Sequence, residues 1–591
     1  MHTPSASASS LQDKPRRPSR GALPSPLRAS NPRPEPSWAW ARARGLLAAA
    51  GLMVLGGCAH VAAPTASPPP ALPEPVRAAL ERAGLDPSTL AVAVLPLEPS
   101  STPPGAASLV RPKGAMGLMH QADRPMQPAS AMKVVTSAVA LDRVGPNLRG
   151  YTELRTAAPI EGGRLRGDLV LRGGADLELG LPQLWALMLE LREAGVRHIE
   201  GDIVLDRHLF KPARLDLGVP PFDESPEFPY NVIPDALQLA GNLQVLELVS
   251  DRSQVTARLR PELPGVRLDN RLSLHPPGAV PCRDWSGAGW TTPTFQEQAD
   301  GTVVVRLQGR FPADCSQRQP LQLMERNRQA QAQLQWVWAE LGGQWSGRVR
   351  EAAVGEFVHE AGTTTARAPT RLLARREARP WGEWLRPLNK TSDNVATRVL
   401  YLLTGLEEER RASRPAAQAA AASGPAPRDT RDWADLAVRR WFEQQGIPTA
   451  GLVMDNGSGL SRSERITPRQ LALVLRAAHS QLHASELMMS LPIAGVDGSL
   501  RTRMTDTAAR GRARLKPGTL RNAVALAGYV DDAQGRRWVM AAMVNHDEAP
   551  QRGRPVLDAL ATWVAAGGAG GAAAAGAPVS AEGAGRTVPL R

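Results

Sequence analysis

The 591-residue sequence has only three cysteines, 4% aromatic residues and no apolar run of membrane-spanning length. Its longest uncharged apolar stretch, Gly45 to Gly57, has 13 residues. A spanning helix needs about 20, so a multi-pass membrane protein is excluded. Dense Lys/Arg runs with interleaved aromatics, the footprint of a nucleic-acid binder, are also missing. The net charge of +13 does not stand in for them: residues 1–44 carry +6, leaving +7 for the 534 residues after Gly57. His479 and His483 read as four apart on a helix but have no third ligand or acidic partner, which argues against zinc and leaves metal sites at none. There is no internal repeat. What remains is a chain with room for two to four packed domains at roughly 100–200 residues each.

The first 57 residues read as a signal region removed on export. Arg42 and Arg44 precede the apolar segment Leu46–Leu55, and small residues follow it. The ending Leu55-Gly56-Gly57-Cys58 resembles the bacterial lipobox, which implies cleavage before Cys58 and acylation of its thiol. Residues 58–77 then form an Ala/Pro/Ser-rich lipidated tether. Ala59 after the cysteine implies sorting to the outer rather than the inner membrane. The expected location is periplasmic, anchored to a membrane by lipid. Export leaves Cys282 and Cys315 in an oxidising compartment, where pairing is the natural expectation. Closing their loop of 32 residues is worth about 3–4 kcal/mol in the loop-entropy model. Two buried free thiols are the alternative.

The mature chain changes texture twice. Residues 78–160 open with helical composition over Pro75–Ala83 and a short alternating strand, Ala91–Leu95. From 161 to 350 many short β-like segments follow one another, among them Asp168–Leu171, Asp202–Leu205, Leu243–Val249 and Val303–Leu307. One helix interrupts them, Leu181–Ala194, with a 3.6-residue apolar period. Residues 351–564 return to helices at Thr370–Thr404, Asp432–Gln445 and Pro468–His479, then a strand pair at Ala523–Val530 and Trp538–Asn545. Ala412–Pro427 is an Ala/Pro/Ser tract, and residues 565–591 read as a disordered Gly/Ala-rich tail. The pattern predicts one α/β domain in two parts, 78–160 and 351–564, interrupted by a large β-rich insertion.

Three short motifs carry chemistry. In Ser130-Ala131-Met132-Lys133, Pro128 and the apolar continuation put Ser130 in the first turn of a buried helix, where residues three apart are neighbours. A lysine in an apolar place loses basicity and can take the serine proton. Ser392-Asp393-Asn394 alone is weak, because such a triplet often simply starts a helix. Lys516-Pro517-Gly518-Thr519 sets a cation beside exposed strand backbone, suited to a carboxylate on an extended peptide.

In this order, the three motifs are the signature of penicillin-recognising serine enzymes. The 262-residue gap from Ser130 to Ser392 resembles the penicillin-binding protein 4 (DacB-like) family of D-alanyl-D-alanine carboxypeptidases/endopeptidases, whose catalytic domain carries a large insertion there. The segments Gly167–Leu171, Gly201–Asp206, Asp455–Ser461, Ser490–Leu500 and Ala525–Val530 are also similar to that family. The resemblance implies an α/β (α+β) serine β-lactamase/DD-peptidase-like catalytic domain with a large β-rich insertion. It implies a serine DD-peptidase acting on peptidoglycan stem peptides through an acyl-enzyme, β-lactams as covalent inhibitors, and no cofactor. Ser130 would be the nucleophile and Lys133 its base. Ser392 would relay the proton with Asn394 and Lys516, and Gly518 and Thr519 would bind substrate, with the Ser130 and Thr519 amides as oxyanion hole.

One position departs from the family. Thr or Ser usually follows the third-motif lysine, whereas Pro517 offers neither hydroxyl nor N–H, and Thr519 is left to take over part of that role. Asp223-Glu224 reads as a solvated loop or as a partner for the amino group of a diamino-acid side chain. Trp185, Trp336, Trp338, Trp381 and Trp384 read as packing residues. The alternatives to a peptidase are a non-catalytic peptidoglycan-binding protein of the same fold and a β-lactamase. The second lacks an evident deacylating Glu around Asp429–Arg439.

Overall fold

The computed structural model describes residues 71–97, 117–287, 289–357, 369–413 and 427–570. The signal region, Cys58, residues 414–426 of the Ala/Pro/Ser tract and the tail beyond Gly570 lie outside the described residues.

The catalytic part is built on a five-stranded antiparallel sheet in the order Ala513–Leu520, Ala523–Asp531, Arg537–Asn545, Leu90–Pro96, Leu118–His120. Its inner strands are apolar almost throughout because both faces are covered. On one face Leu90, Val92, Val94, Val524, Leu526, Met540 and Val544 meet helices Glu74–Ala83 and Arg554–Ala565. On the other face Ala93, Ala541 and Ala527 stand in register across three strands and end at Lys516 on the fourth. The next row sets Ala91 and Ala525 on either side of Met543, and Tyr529 and Val539 share the face. Helix Pro468–His479 lies against it, and the turn Ala129–Met132 of the first motif reaches strands Ala513–Leu520 and Ala523–Asp531.

Helix Lys133–Arg143 forms the centre of that helical layer, with every residue from Lys133 to Leu141 buried. An all-round buried helix must be wrapped by others. Here Trp381–Thr391, Asn394–Ala412, Thr430–Gln444, Pro468–His479 and Ala484–Ser490 surround it.

Between Arg143 and Trp381 the chain builds further sheets. One has five strands in the order Val349–Glu351, Ile203–Asp206, Leu169–Gly174, Arg149–Thr156, Arg371–Pro380. Helices Leu181–Glu193 and Arg326–Glu340 share its core. Two three-stranded sheets hold a separate core containing Trp285, Val305, Phe311 and Leu321, beside which Cys282 and Cys315 are joined in a disulfide. The five-stranded sheet draws two of its strands, 149–156 and 371–380, from outside the limits 161–350 read from sequence texture.

Residues 371–380 are a correction: the helix expected over Thr370–Thr404 is a strand followed by two helices. The Arg/Ala/Leu/Glu composition suits a helix, but pairing with Arg149–Thr156 overrides propensity. Ala374 and Ala378 face the sheet, while Arg375 and Arg376 pair with Glu153 and Asp176. His483 also differs from the reading: helix Pro468–His479 stops at His479, and His483 lies beyond it, 3.8 Å from Glu486.

Candidate active site

The first motif lies where Pro128 and a short 3₁₀ turn, Ala129–Met132, run directly into helix Lys133–Arg143. Ser130 therefore sits one turn before Lys133 with its side chain toward the sheet edge. The turn is strained, since Ala129 holds φ +46°, a region costing a non-glycine residue about 1–3 kcal/mol. Two glycines press on it. A Cβ at Gly459 would fall 1.8 Å from the Ala129 carbonyl oxygen, and one at Gly518 would fall 2.8 Å from the Ser130 nitrogen. Glycine at both positions is what brings the loop and the third-motif strand onto the Ser130 backbone.

The second motif is a helix junction. Ser392 closes helix Trp381–Thr391 in the left-handed region, φ +63°. Asp393 caps the next helix by accepting the Ala396 N–H at 2.9 Å, and Asn394 is that helix's first residue. The triplet thus stops one helix and starts another, which throws Ser392 and Asn394 toward Ser130.

Lys133 joins these pieces. Its Nζ donates to Asn394 Oδ1 at 2.7 Å and to the Ser458 carbonyl at 2.6 Å, and its third direction meets Ser130 Oγ at 3.1 Å. The side chain is fully buried. Desolvation pushes the amine down to about 7, against the raising pull of Glu464 and Asp393. Lys516, equally buried, donates to Ser392 Oγ at 2.9 Å and to the Pro517 carbonyl at 2.8 Å. Burial and the nearby Lys133 charge hold it well below the usual lysine range. Once neutral, Lys133 keeps two N–H bonds and points a lone pair at the Ser130 hydroxyl. Ser392 sits beside Lys516 as a second proton carrier.

Ser130, Ser392 and Asn394 open on a cleft of about 740 Å³, whose far walls are Thr519–Asn522, Leu460, Arg462 and the insertion residues Phe222, Asp223, Glu224 and Tyr230. The insertion is fastened to the catalytic helix: Asn394 Nδ2 donates to the Tyr230 carbonyl at 3.1 Å and Arg398 to the Val232 carbonyl at 3.1 Å. Asp223 accepts from the Tyr230 hydroxyl at 2.8 Å and Asn231 Nδ2 at 2.7 Å. Arg462 lies over the Phe222 ring at 5.0 Å. Sequence reasoning found all five motif side chains, and the structure brings them together. It missed the Ser458 carbonyl, Glu464 and Tyr230, whose contributions are backbone or long-range. The glycine pair Gly457 and Gly459 was the available signal.

Pro517 has a structural place. Leu515 N donates away from the sheet, to the Pro492 carbonyl at 2.8 Å, whereas the Arg512 carbonyl accepts inward from Asp531 at 3.1 Å. By strand alternation, positions 515, 517 and 519 direct their backbone outward at an edge strand. A proline there breaks no ladder bond; what it removes is an N–H on the outward edge of the strand, two residues before the cleft-lining Thr519.

Two facing lysines, two serines, an asparagine and a strand edge at an antiparallel sheet define an acyl-serine enzyme of the penicillin-recognising class. Residues 112–566 match the D-Ala-D-Ala carboxypeptidase 3 (S13) family, and the chain belongs to that family: it is a serine DD-peptidase. It is 28% identical over 446 residues to a D-alanyl-D-alanine carboxypeptidase of Actinomadura sp. strain R39, covering 74% of this chain and 76% of that protein. It is 26% identical over 432 residues to D-alanyl-D-alanine carboxypeptidase DacB of Haemophilus influenzae, covering 71% and 80%. Among solved structures, penicillin-binding protein 4 (dacB) from Haemophilus influenzae shares the fold, with a TM-score of 0.61, 20% identity, and 83% and 99% of the two chains covered.

Two expectations follow. Acylation of Ser130 by a β-lactam requires neutral Lys133, so its second-order rate rises as pH passes upward through about 7, changing about tenfold per unit on the acidic side; a flat stopped-flow profile from pH 5.5 to 8 would contradict this. Pro517→Thr restores an N–H on the outward edge of the strand and adds a hydroxyl. At about 1.5–3 kcal/mol for a bond to a charged group, it should raise acylation and D-Ala-D-Ala turnover at least tenfold, and equal or lower rates would show a site adapted to proline.

Proposed function

We propose that Ser130 attacks the carbonyl of the D-Ala-D-Ala bond, or of a D-alanyl cross-link, in peptidoglycan stem peptides. Lys133 takes its proton, and Ser392, held by Lys516, returns a proton to the leaving amine. The amides of Ser130 and Thr519 stabilise the tetrahedral oxyanion, and water then releases the acyl group. The observation carrying this reading is the Lys133 amine bonded at once to Ser130, Asn394 and the Ser458 carbonyl. The cleft supports a stem-peptide substrate: a strand edge for an extended chain, with the Arg462 cation and the Asp223 and Glu224 carboxylates on the opposite wall for a zwitterionic diamino-acid side chain. Fluorescent penicillin should label the wild type and leave Ser130→Ala unlabelled with its thermal unfolding unchanged. Mass analysis of digested muropeptides should show loss of D-Ala or opened cross-links. Persistent labelling of Ser130→Ala would remove the assignment.

The same reading places the enzyme outside the cytoplasmic membrane, tethered through lipid on Cys58. The Leu55-Gly56-Gly57-Cys58 sequence and the Cys282–Cys315 disulfide support it, since such bonds persist in oxidising compartments. Cys58→Ser should move the exported protein from the membrane pellet to the soluble fraction, and sedimentation unaltered by the change would count against a lipid anchor.

A further inference from the structure

Glu464 belongs to none of the three motifs, yet it is fully buried behind the active site. Its Oε1 accepts the N–H groups of three consecutive residues, Asp455 at 3.2 Å, Asn456 at 3.1 Å and Gly457 at 2.8 Å. Converging amides of this kind favour an anion. Its Oε2 is buried without a hydrogen-bond partner among the described residues. The loop held by these amides touches the catalytic machinery at three successive residues. The Gly457 carbonyl accepts from Thr136 Oγ1 at 2.6 Å, the Ser458 carbonyl accepts from Lys133 Nζ at 2.6 Å, and Gly459 presses on the Ala129 carbonyl.

We propose that Glu464 is a positioning residue for Lys133: its carboxylate clamps the 455–458 loop so that the Ser458 carbonyl meets the Lys133 amine, and it supplies negative charge facing that amine. The proposal rests on the reading of Lys133 as the base. Lys133 is faced by Lys516 from the third-motif strand, Asp393 and Arg398 from the second-motif helix, and Glu464. Glu464 is itself faced by Asp455 from its own loop and by Arg398 and Tyr401 from the helix. Burial pushes the Glu464 carboxyl upward while the three amides pull it down. Among the charges acting on Lys133, Glu464 exerts the largest raising pull.

Two substitutions separate clamp from charge. Glu464→Gln keeps an oxygen for the three amides and removes the charge; Glu464→Ala removes both. Fluorescent-penicillin acylation rates would be measured on the full chain from pH 5 to 9, with folding followed by circular dichroism. Without the Glu464 charge Lys133 is easier to deprotonate, so the rising limb in Glu464→Gln should move about one unit toward acid. That is about tenfold more acylation at pH 5.5, relative to its own plateau. Glu464→Ala should lose at least tenfold on the plateau. A Glu464→Gln limb superimposed on the wild type overturns the charge role, and a Glu464→Ala plateau equal to wild type overturns the clamp. If Glu464→Ala fails to fold, Glu464→Asp, which keeps the charge but draws the carboxylate back from the three amides, tests the clamp instead. A Glu464→Asp plateau equal to wild type then overturns the clamp, while the Glu464→Gln profile decides the charge role. Wild-type labelling that is lost in Ser130→Ala separates failure of the peptidase reading from failure of this one.

Discussion

A fully buried lysine amine is the constraint on which the rest of the structure depends. Taking an ammonium out of water costs several kcal/mol even after relaxation, and Lys133 meets that cost with bonds drawn from separate parts of the chain. Asn394 comes from the helix junction, the Ser458 carbonyl from a glycine-rich loop, and Ser130 from its own preceding turn. Each partner is fixed by a further layer: Asp393 caps the Asn394 helix, Glu464 holds the loop, and Gly459 and Gly518 let loop and strand reach the serine backbone. The result is an amine brought down to about 7 by burial, 3.1 Å from the Ser130 hydroxyl.

The sheet contributes through its register. The row Ala93, Ala541, Ala527 ends in Lys516, which places the second lysine beside Ser392. Both motif serines lie at strained backbone: Ala129 precedes Ser130 at positive φ, and Ser392 is itself left-handed. Such strain persists only where the surroundings over-determine it, and here packing from strand, loop and junction does so.

The insertion is part of the site as well as an addition to the fold. Its Tyr230 and Val232 carbonyls are bonded by Asn394 and Arg398, residues one helical turn apart, and Phe222 to Glu224 form a wall of the cleft. The cleft is therefore lined in part by residues more than 150 positions before the second motif.

What the sequence alone determined were the features that depend on neighbours along the chain. The one-turn spacing of Ser130 and Lys133, helix Pro468–His479, and the apolar strand pair read at Ala523–Val530 and Trp538–Asn545 follow from local periodicity. The order of the three motifs made the family legible, although their convergence could not be measured from it. Only the tertiary structure decided what depends on distant partners. Residues 371–380 have helical composition and became a strand because an edge beside 149–156 was open. Glu464 looks like one more surface charge until three amides close around it. Pro517 breaks a motif pattern, but its backbone points outward at a sheet edge, so the ladder is intact. In each case burial and pairing across more than a hundred residues, or a loop closed by one carboxylate, outweigh the fraction of a kcal/mol that local preference supplies.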